Sequence, residues 1–184
     1  MSETINNYVP PAPVPDGDTG EPVRYVLGVP FDSTSGKVVT LVKKRGPRHL
    51  FNKITFPGGK LHLEETPEEA MSREFHEETG VYIPAVDWTL FEVVSDNYHS
   101  IHKFTVDAPE IIEAKTMEDE TVACPNVLQA LLDCAKNPDA YAADFKLHLL
   151  RAIGILGWSR STGLSPAIDR LGPSQRLRSA TVHN

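Results

Sequence analysis

Three glutamates, Glu74, Glu77 and Glu78, recur at i, i+3 and i+4 within the segment 59–81, GKLHLEETPEEAMSREFHEETGV. At about 100° per residue, that spacing on a helix confines them to an arc of roughly 100°. Carboxylates crowded on one arc repel one another. Glu77 and Glu78 also fall in the last turn, where the helix dipole favours cations. The one lysine or arginine within a turn of them is Arg73, four residues before Glu77 and adjacent to Glu74. A helix built only for stability does not choose this pattern. A bound Mg²⁺ or Mn²⁺ turns the repulsion into ligation, because hard cations take carboxylate oxygens and often accompany phosphate substrates. The bland alternative is a solvated acidic helix face. It accounts for Glu68 and Glu69 in the first turn, but not for the whole string.

The string matches the Nudix box, G-x5-E-x7-R-E-U-x-E-E-x-G-U with U apolar. Gly59, Glu65, Arg73, Glu74, Phe75, Glu77, Glu78, Gly80 and Val81 occupy every fixed position without departure. Agreement at so many fixed spacings makes a strong motif. The chain therefore resembles the Nudix hydrolases, which cleave a nucleoside diphosphate linked to some other group X with Mg²⁺ or Mn²⁺. The resemblance implies an α/β/α sandwich with a mixed sheet, in which the box forms loop–helix–loop. It implies Glu74, Glu77 and Glu78 as metal ligands, joined by the carbonyl of Gly58. It further implies Glu65 near the metals and Arg73 holding the carboxylates by ion pairing. Glu77 or Glu78 is expected close to the attacking water, with ligand and base not separable at this level. In this family the base can also come from another loop. The Phe-Pro-Gly-Gly-Lys entry over 56–60 resembles that of MutT-like nucleotide-pool enzymes and of short bacterial and phage Nudix proteins, and makes Lys60 a candidate substrate contact.

Weaker features lie outside the box. Glu118 and Glu120, in Met-Glu-Asp-Glu-Thr over 117–121, fall where many Nudix proteins place a further acidic group that binds metal or contacts the base; the alternative is a solvated loop. Tyr98 follows Gly80 by 18 residues, a spacing similar to that in diadenosine polyphosphate hydrolases of the family. The proline that marks many ADP-ribose hydrolases is absent from positions 95–98. Lys43, Lys44, Arg45 and Arg48 follow a β-rich run and read first as a solvated basic loop, with phosphate binding as the alternative. His49, His62, His76, His99 and His102 lack metal-site spacing.

These residues need elements to position them. The stretches 24–31 and 37–43 are β-rich runs joined by Asp-Ser-Thr-Ser-Gly, a hairpin signal. A short strand at 54–56 leads into the box. Thr66, Pro67 and Glu69 predict a capped helix start, and Gly80 its stop, so the helix runs to Thr79 with Met71 and Phe75 inward. Further strands are expected over 88–95 and 100–106, and helices over 126–136 and 141–156. The expected organisation is a Pro-rich flexible arm over 1–22, a Nudix domain of α/β class over 23–156, and a weakly ordered basic tail over 157–184.

Composition narrows the function further. The 184 residues carry 18 basic and 25 acidic side chains, a net charge of −7, which argues against an extended grip on nucleic-acid phosphates. An acidic protein still binds anions where metal ions intervene. No stretch reaches the roughly 20 apolar residues of a membrane span, the start lacks a secretory pattern, and two cysteines make no disulfide framework. A cytoplasmic setting is expected, with a small nucleotide as partner, no membrane, and a homodimer open. The leading expectation is metal-dependent hydrolysis of a (deoxy)nucleoside triphosphate, including oxidised ones, or an NDP-X such as ADP-ribose or NADH, with a dinucleoside polyphosphate open through Tyr98. Competing with it are a catalytically silent nucleotide sensor of Nudix fold and an RNA-decapping enzyme.

Overall fold

The computed structural model describes residues 23–162; the arm expected over 1–22, and the part of the expected tail over 163–184, lie outside the described residues. The first strand, β1 (Val23–Asp32), pairs on both sides. Asp32 closes the following turn by accepting from the amides of Thr34 (2.9 Å) and Ser35 (3.2 Å), and β2 (Lys37–Val38) returns antiparallel. The run expected over 37–43 then divides. Val39 donates to the Pro30 carbonyl (3.2 Å), but a proline nitrogen has no hydrogen to return the bond, so this ladder ends there. The next residues form β3 (Thr40–Val42), the central strand of a second sheet between β4 (Ile54–Thr55) and β7 (Thr121–Ala123).

The first sheet has the order β2-β1-β6-β5. Its hairpin partners are β5 (Thr89–Ser95) and β6 (His99–Asp107), antiparallel with a bulge between Leu90 and Glu92. β6 runs parallel to β1 from Val23↔His99 to Phe31↔Asp107, so the sheet is mixed. Trp88, expected at the start of β5, instead follows a 3₁₀ turn (Ala85–Asp87) and is buried edge-on against Phe75, with ring centroids 5.5 Å apart.

Helices cover both faces of this sheet. α1 (Pro67–Thr79) presses Ala70, Met71 and Phe75 against Val26, Trp88 and Phe104. On the other face α2 (Val127–Lys136) and α3 (Phe145–Thr162) bring Ala130, Phe145, Leu149 and Ala152 onto Val29, Val38 and Phe56. The Phe56 and Phe145 rings stack at 4.4 Å and 5°, and burying each contributes about 1.5–3 kcal/mol. The result is the expected α/β/α arrangement. α3 starts at Phe145 rather than at residue 141 for a local reason. Ala142 donates to the Ile54 carbonyl (2.9 Å) and Tyr141 bridges to Ile54, so residues 141 and 142 lie along the β4 edge, and a turn with Asp144 at φ +62° precedes the helix. The helix continues past residue 156 to Thr162.

A polar knot lies under α3. Lys103, almost fully buried, reaches Glu92 (2.7 Å) and His148 Nε2 (2.9 Å), and Arg151 also pairs with Glu92. Burial, and then the Lys103 ammonium, push the His148 imidazole down to about 4. Among the described residues no helix is long and apolar enough to cross a membrane.

Candidate active site

The box helix is set by its ends. Thr66 Oγ1 accepts from the Glu69 amide (3.2 Å) while the Glu69 carboxylate accepts from the Thr66 amide (2.9 Å), and Pro67 occupies the first turn, where a missing N–H costs nothing. At the other end the Gly80 amide donates to the His76 carbonyl (2.8 Å) in a left-handed turn of φ 73°. Met71 and Phe75 anchor the inner face, and this orientation turns the Glu74–Glu78 side toward the loop that enters the box.

That loop lies directly on β1. Gly28 donates to the Pro57 carbonyl (2.9 Å), Val26 to that of Gly59 (2.9 Å), and Leu61 to that of Arg24 (2.9 Å). Gly58 sits at φ +147°, where an added Cβ would lie 2.2 Å from the Val26 carbonyl oxygen. At Gly59 an added Cβ would lie 2.3 Å from a carboxylate oxygen of Glu74. Two glycines therefore let the backbone pass between strand and helix while bringing the Gly58 carbonyl beside the box carboxylates.

Arg73 gathers the outer carboxylates. Its Nε and Nη2 donate to the two oxygens of Glu65 (2.7 and 3.1 Å), its Nη1 to Glu74 (2.9 Å) and Glu77 (3.0 Å), and its Nη2 also to the Lys60 carbonyl (3.0 Å). One planar fork thus holds three carboxylates and the loop backbone. The Arg73 hydrogen bond lowers the Glu65 carboxyl below its ordinary range, and Glu65 in turn raises the guanidinium's. Glu77 stands at the rim, its side chain 47% exposed. Glu74 is more enclosed, and burial raises its carboxyl despite Arg73.

Glu78 is the buried member, with only 3% of its side chain exposed. One oxygen accepts from the Gly58 amide (3.0 Å) and the other from Lys43 Nζ (2.5 Å). Burial pushes its carboxyl up to about 7, and the Lys43 ammonium and the Gly58 amide only partly offset that cost. The same Lys43 ammonium donates to the Gly58 carbonyl (3.1 Å) and lies 4.0 Å from Glu120 Oε1. The other Glu120 oxygen is buried with no hydrogen-bond partner.

Gly58, Glu65, Arg73, Glu74, Glu77 and Glu78 therefore come together as the box pattern implies. Of the two further carboxylates, Glu120 joins them, buried beneath Lys43, whereas Glu118 is exposed. Lys60 contributes its carbonyl to the Arg73 fork and is exposed. Tyr98 lies in the β5–β6 turn, 42% exposed, with its carbonyl accepting from Val23 (2.8 Å). The basic loop divides as well. Arg45 pairs with Asp119 and Lys44 with Asn52 (3.1 Å) at the surface, but Lys43 is no solvated loop residue. It directly follows β3 and points inward, and no signal in its own stretch of sequence sets it apart from Lys44.

The donor set suits a hard divalent cation. Among the described residues no three carboxylates, imidazoles or thiols face one another as a ready cage, because Arg73 and Lys43 stand between them. Three oxygens, from Gly58, Glu78 and Glu120, nevertheless converge on one ammonium, and the orphaned Glu120 oxygen adjoins them. A pocket of carbonyl and carboxylate oxygens that already surrounds a positive charge fits Mg²⁺ or Mn²⁺ in ligand type.

Known proteins resemble this chain in sequence or in fold. An 8-oxo-dGTP diphosphatase of Escherichia coli (strain K12) is 36% identical over 64 residues, 35% of this chain and 48% of that protein. One of Proteus vulgaris is 39% identical over 54 residues, 29% of this chain and 46% of that protein. The chain thus spans about half the length of the curated relatives it matches. Among solved structures, a chain from work on MutT of Aliivibrio salmonicida and Vibrio cholerae superposes with a TM-score of 0.54 at 21% identity, covering 71% of this chain and 99% of that one. A MutT NUDIX hydrolase from Burkholderia pseudomallei gives 0.53 at 19% identity, covering 71% and 98%. These likenesses concern the fold. A model of the NUDIX domain matches residues 22–142, and the chain belongs to the Nudix family.

Proposed function

We propose that the chain is a divalent-cation-dependent nucleotide pyrophosphohydrolase, which converts a (deoxy)nucleoside triphosphate of the 8-oxo-dGTP kind to its monophosphate and pyrophosphate. The observation that carries this reading is the convergence of the Gly58 carbonyl, Glu78 and Glu120 on one cation position, beside carboxylates fixed by Arg73. The likeness to 8-oxo-dGTP diphosphatases supports the choice of substrate.

In this reading Gly58, Glu74, Glu78 and Glu120 would hold Mg²⁺ or Mn²⁺, with Glu77, the further ligand that the box pattern implies, at the open rim. The bound cation supplies charge neutralisation of the phosphate oxygens and a more acidic water. The chain's own residues do the rest. Arg73 keeps Glu65, Glu74 and Glu77 at fixed separations, so the site pays little reorganisation when substrate arrives. The Gly58–Gly59 backbone, pressed onto β1, fixes one wall. A box carboxylate takes the proton of the attacking water, and Glu77, the more accessible of the two glutamates in the last turn, is placed to do so.

A nucleotide panel with 8-oxo-dGTP, the four dNTPs, ADP-ribose, NADH, a diadenosine polyphosphate and capped RNA, incubated with Mg²⁺ or Mn²⁺, tests the reading through its products. Monophosphate and pyrophosphate from 8-oxo-dGTP, abolished by EDTA, are expected. Tight binding of one nucleotide without turnover of any of them would instead identify a sensor.

A further inference from the structure

We propose that Lys43 is a resident cation of the metal seat: its ammonium occupies the position between the Gly58 carbonyl, Glu78 and Glu120 in the metal-free protein, and a divalent ion enters by exchange with it. The inference rests on the reading that these oxygens hold a divalent ion.

The geometry is that of a cation site occupied by a side chain. Lys43 Nζ lies 2.5 Å from Glu78, 3.1 Å from the Gly58 carbonyl and 4.0 Å from Glu120, and its side chain is only 17% exposed. An ammonium and a divalent ion compete for the same lone pairs, since each oxygen that ligates a metal must turn away from its hydrogen-bond donor. The second Glu120 oxygen, buried and unpartnered, shows that one ammonium does not saturate the seat. Lysine suits such a role. Its charge rides on a flexible four-carbon stem that can withdraw, whereas the Arg73 guanidinium is locked by a planar fork across three carboxylates and the Lys60 carbonyl.

The exchange has two consequences. Lys43 keeps the buried Glu78 compensated when no metal is present, so it stabilises the metal-free fold. It also opposes metal entry, so it sets how much free divalent ion is needed to fill the site. A residue that merely packed beneath the helix would do neither, and a residue that helped to hold the metal would act in the opposite sense.

The experiment compares wild type with Lys43→Met and Lys43→Gln. Mn²⁺ affinity is read from the electron paramagnetic resonance signal of the free ion, and melting temperature is measured in EDTA and at saturating Mn²⁺. Exchange predicts Mn²⁺ binding at least about tenfold tighter in both variants. It also predicts a lower melting temperature than wild type in EDTA and a difference that closes at saturating Mn²⁺. Unchanged or weaker Mn²⁺ binding in the variants overturns the proposal while leaving the metal reading intact. So does a melting deficit that persists when the site is loaded. Absence of Mn²⁺ binding by the wild type overturns both. If Lys43→Met does not fold without metal, Lys43→Gln, whose amide can still donate to Glu78, carries the comparison.

Discussion

Glu78 makes a prediction that can be worked from its surroundings. Its carboxyl, ordinarily near 4.5, is raised to about 7 by burial. Between those values the folded, metal-free chain keeps a proton that the unfolded chain has released, so raising the pH favours unfolding. The contribution is fully present below 4.5 and is lost as pH rises through 7. At about 1.4 kcal/mol for each full unit, Glu78 takes away roughly 2.5 kcal/mol between pH 5 and pH 8. His148 works the other way: held near 4 against an ordinary 6.5, it adds stability above 6.5 that is lost as pH falls through 4. Its partial exposure discounts the size of that effect. The total pH profile therefore mixes opposing slopes, and the informative quantity is the difference between wild type and Glu78→Gln, in which His148 cancels. Urea unfolding in EDTA at pH 5, 6, 7 and 8 supplies it. Relative to wild type, Glu78→Gln should gain about 2.5 kcal/mol across that range. The absolute gain at pH 8 will be smaller. A glutamine offers one acceptor where the carboxylate serves both Lys43 and the Gly58 amide, and an unmet buried donor costs about 1–3 kcal/mol. A difference that stays flat from pH 5 to pH 8 would refute the claim that Glu78 is buried at the expense of its charge.

The remaining expectations concern the rest of the site. Glu77→Gln should lower kcat about 10²–10⁴-fold at saturating Mg²⁺ with an unchanged melting curve, as removal of an exposed proton acceptor requires. Arg73→Ala should cost about 100-fold in kcat by releasing Glu65, Glu74 and Glu77, and Arg73→Lys should not restore it, because an ammonium cannot span the fork. Gly59→Ala should yield folded protein with a displaced Glu74 and at least about tenfold lower kcat. Gly58→Ala meets the Val26 carbonyl instead of a side chain and should melt well below wild type. Thr66→Ala removes a cap and should cost about 1 kcal/mol in urea unfolding.

The box was legible because everything that shapes it is local. Thr66, Pro67, Glu69 and Gly80 cap the helix within their own turns, and the spacing of Glu74, Glu77 and Glu78 fixes their common arc. Long-range partners were not legible in the same way. Lys43 meets Glu78 across 35 positions of sequence, and nothing in its own neighbourhood distinguishes it from Lys44, which stays at the surface. Glu120 likewise reads as one acid among three until β7 pairs with β3 and carries it inward. The division of residues 37–42 between two sheets depends on Pro30, a residue of another strand that cannot return a hydrogen bond. The delayed start of α3 depends on Ile54, which claims Ala142 for the sheet edge. In each case the deciding partner lies in a different element.

The small second sheet has a consequence of its own. Lys43 directly follows β3, Gly58 lies three residues beyond β4, and Glu120 directly precedes β7, with Val42 facing both Ile54 and Thr121. Three strands of at most three residues thus work as a combination lock. If either flanking strand slips by one position along β3, a tumbler moves out of line, since alternate residues face opposite ways. The larger core resists such a slip, since a shift of β4 would also pull Phe56 off Phe145 and Pro57 off Gly28. The packing that holds the core thus also keeps the three tumblers in line, and occupancy of the seat reports that the lock has closed.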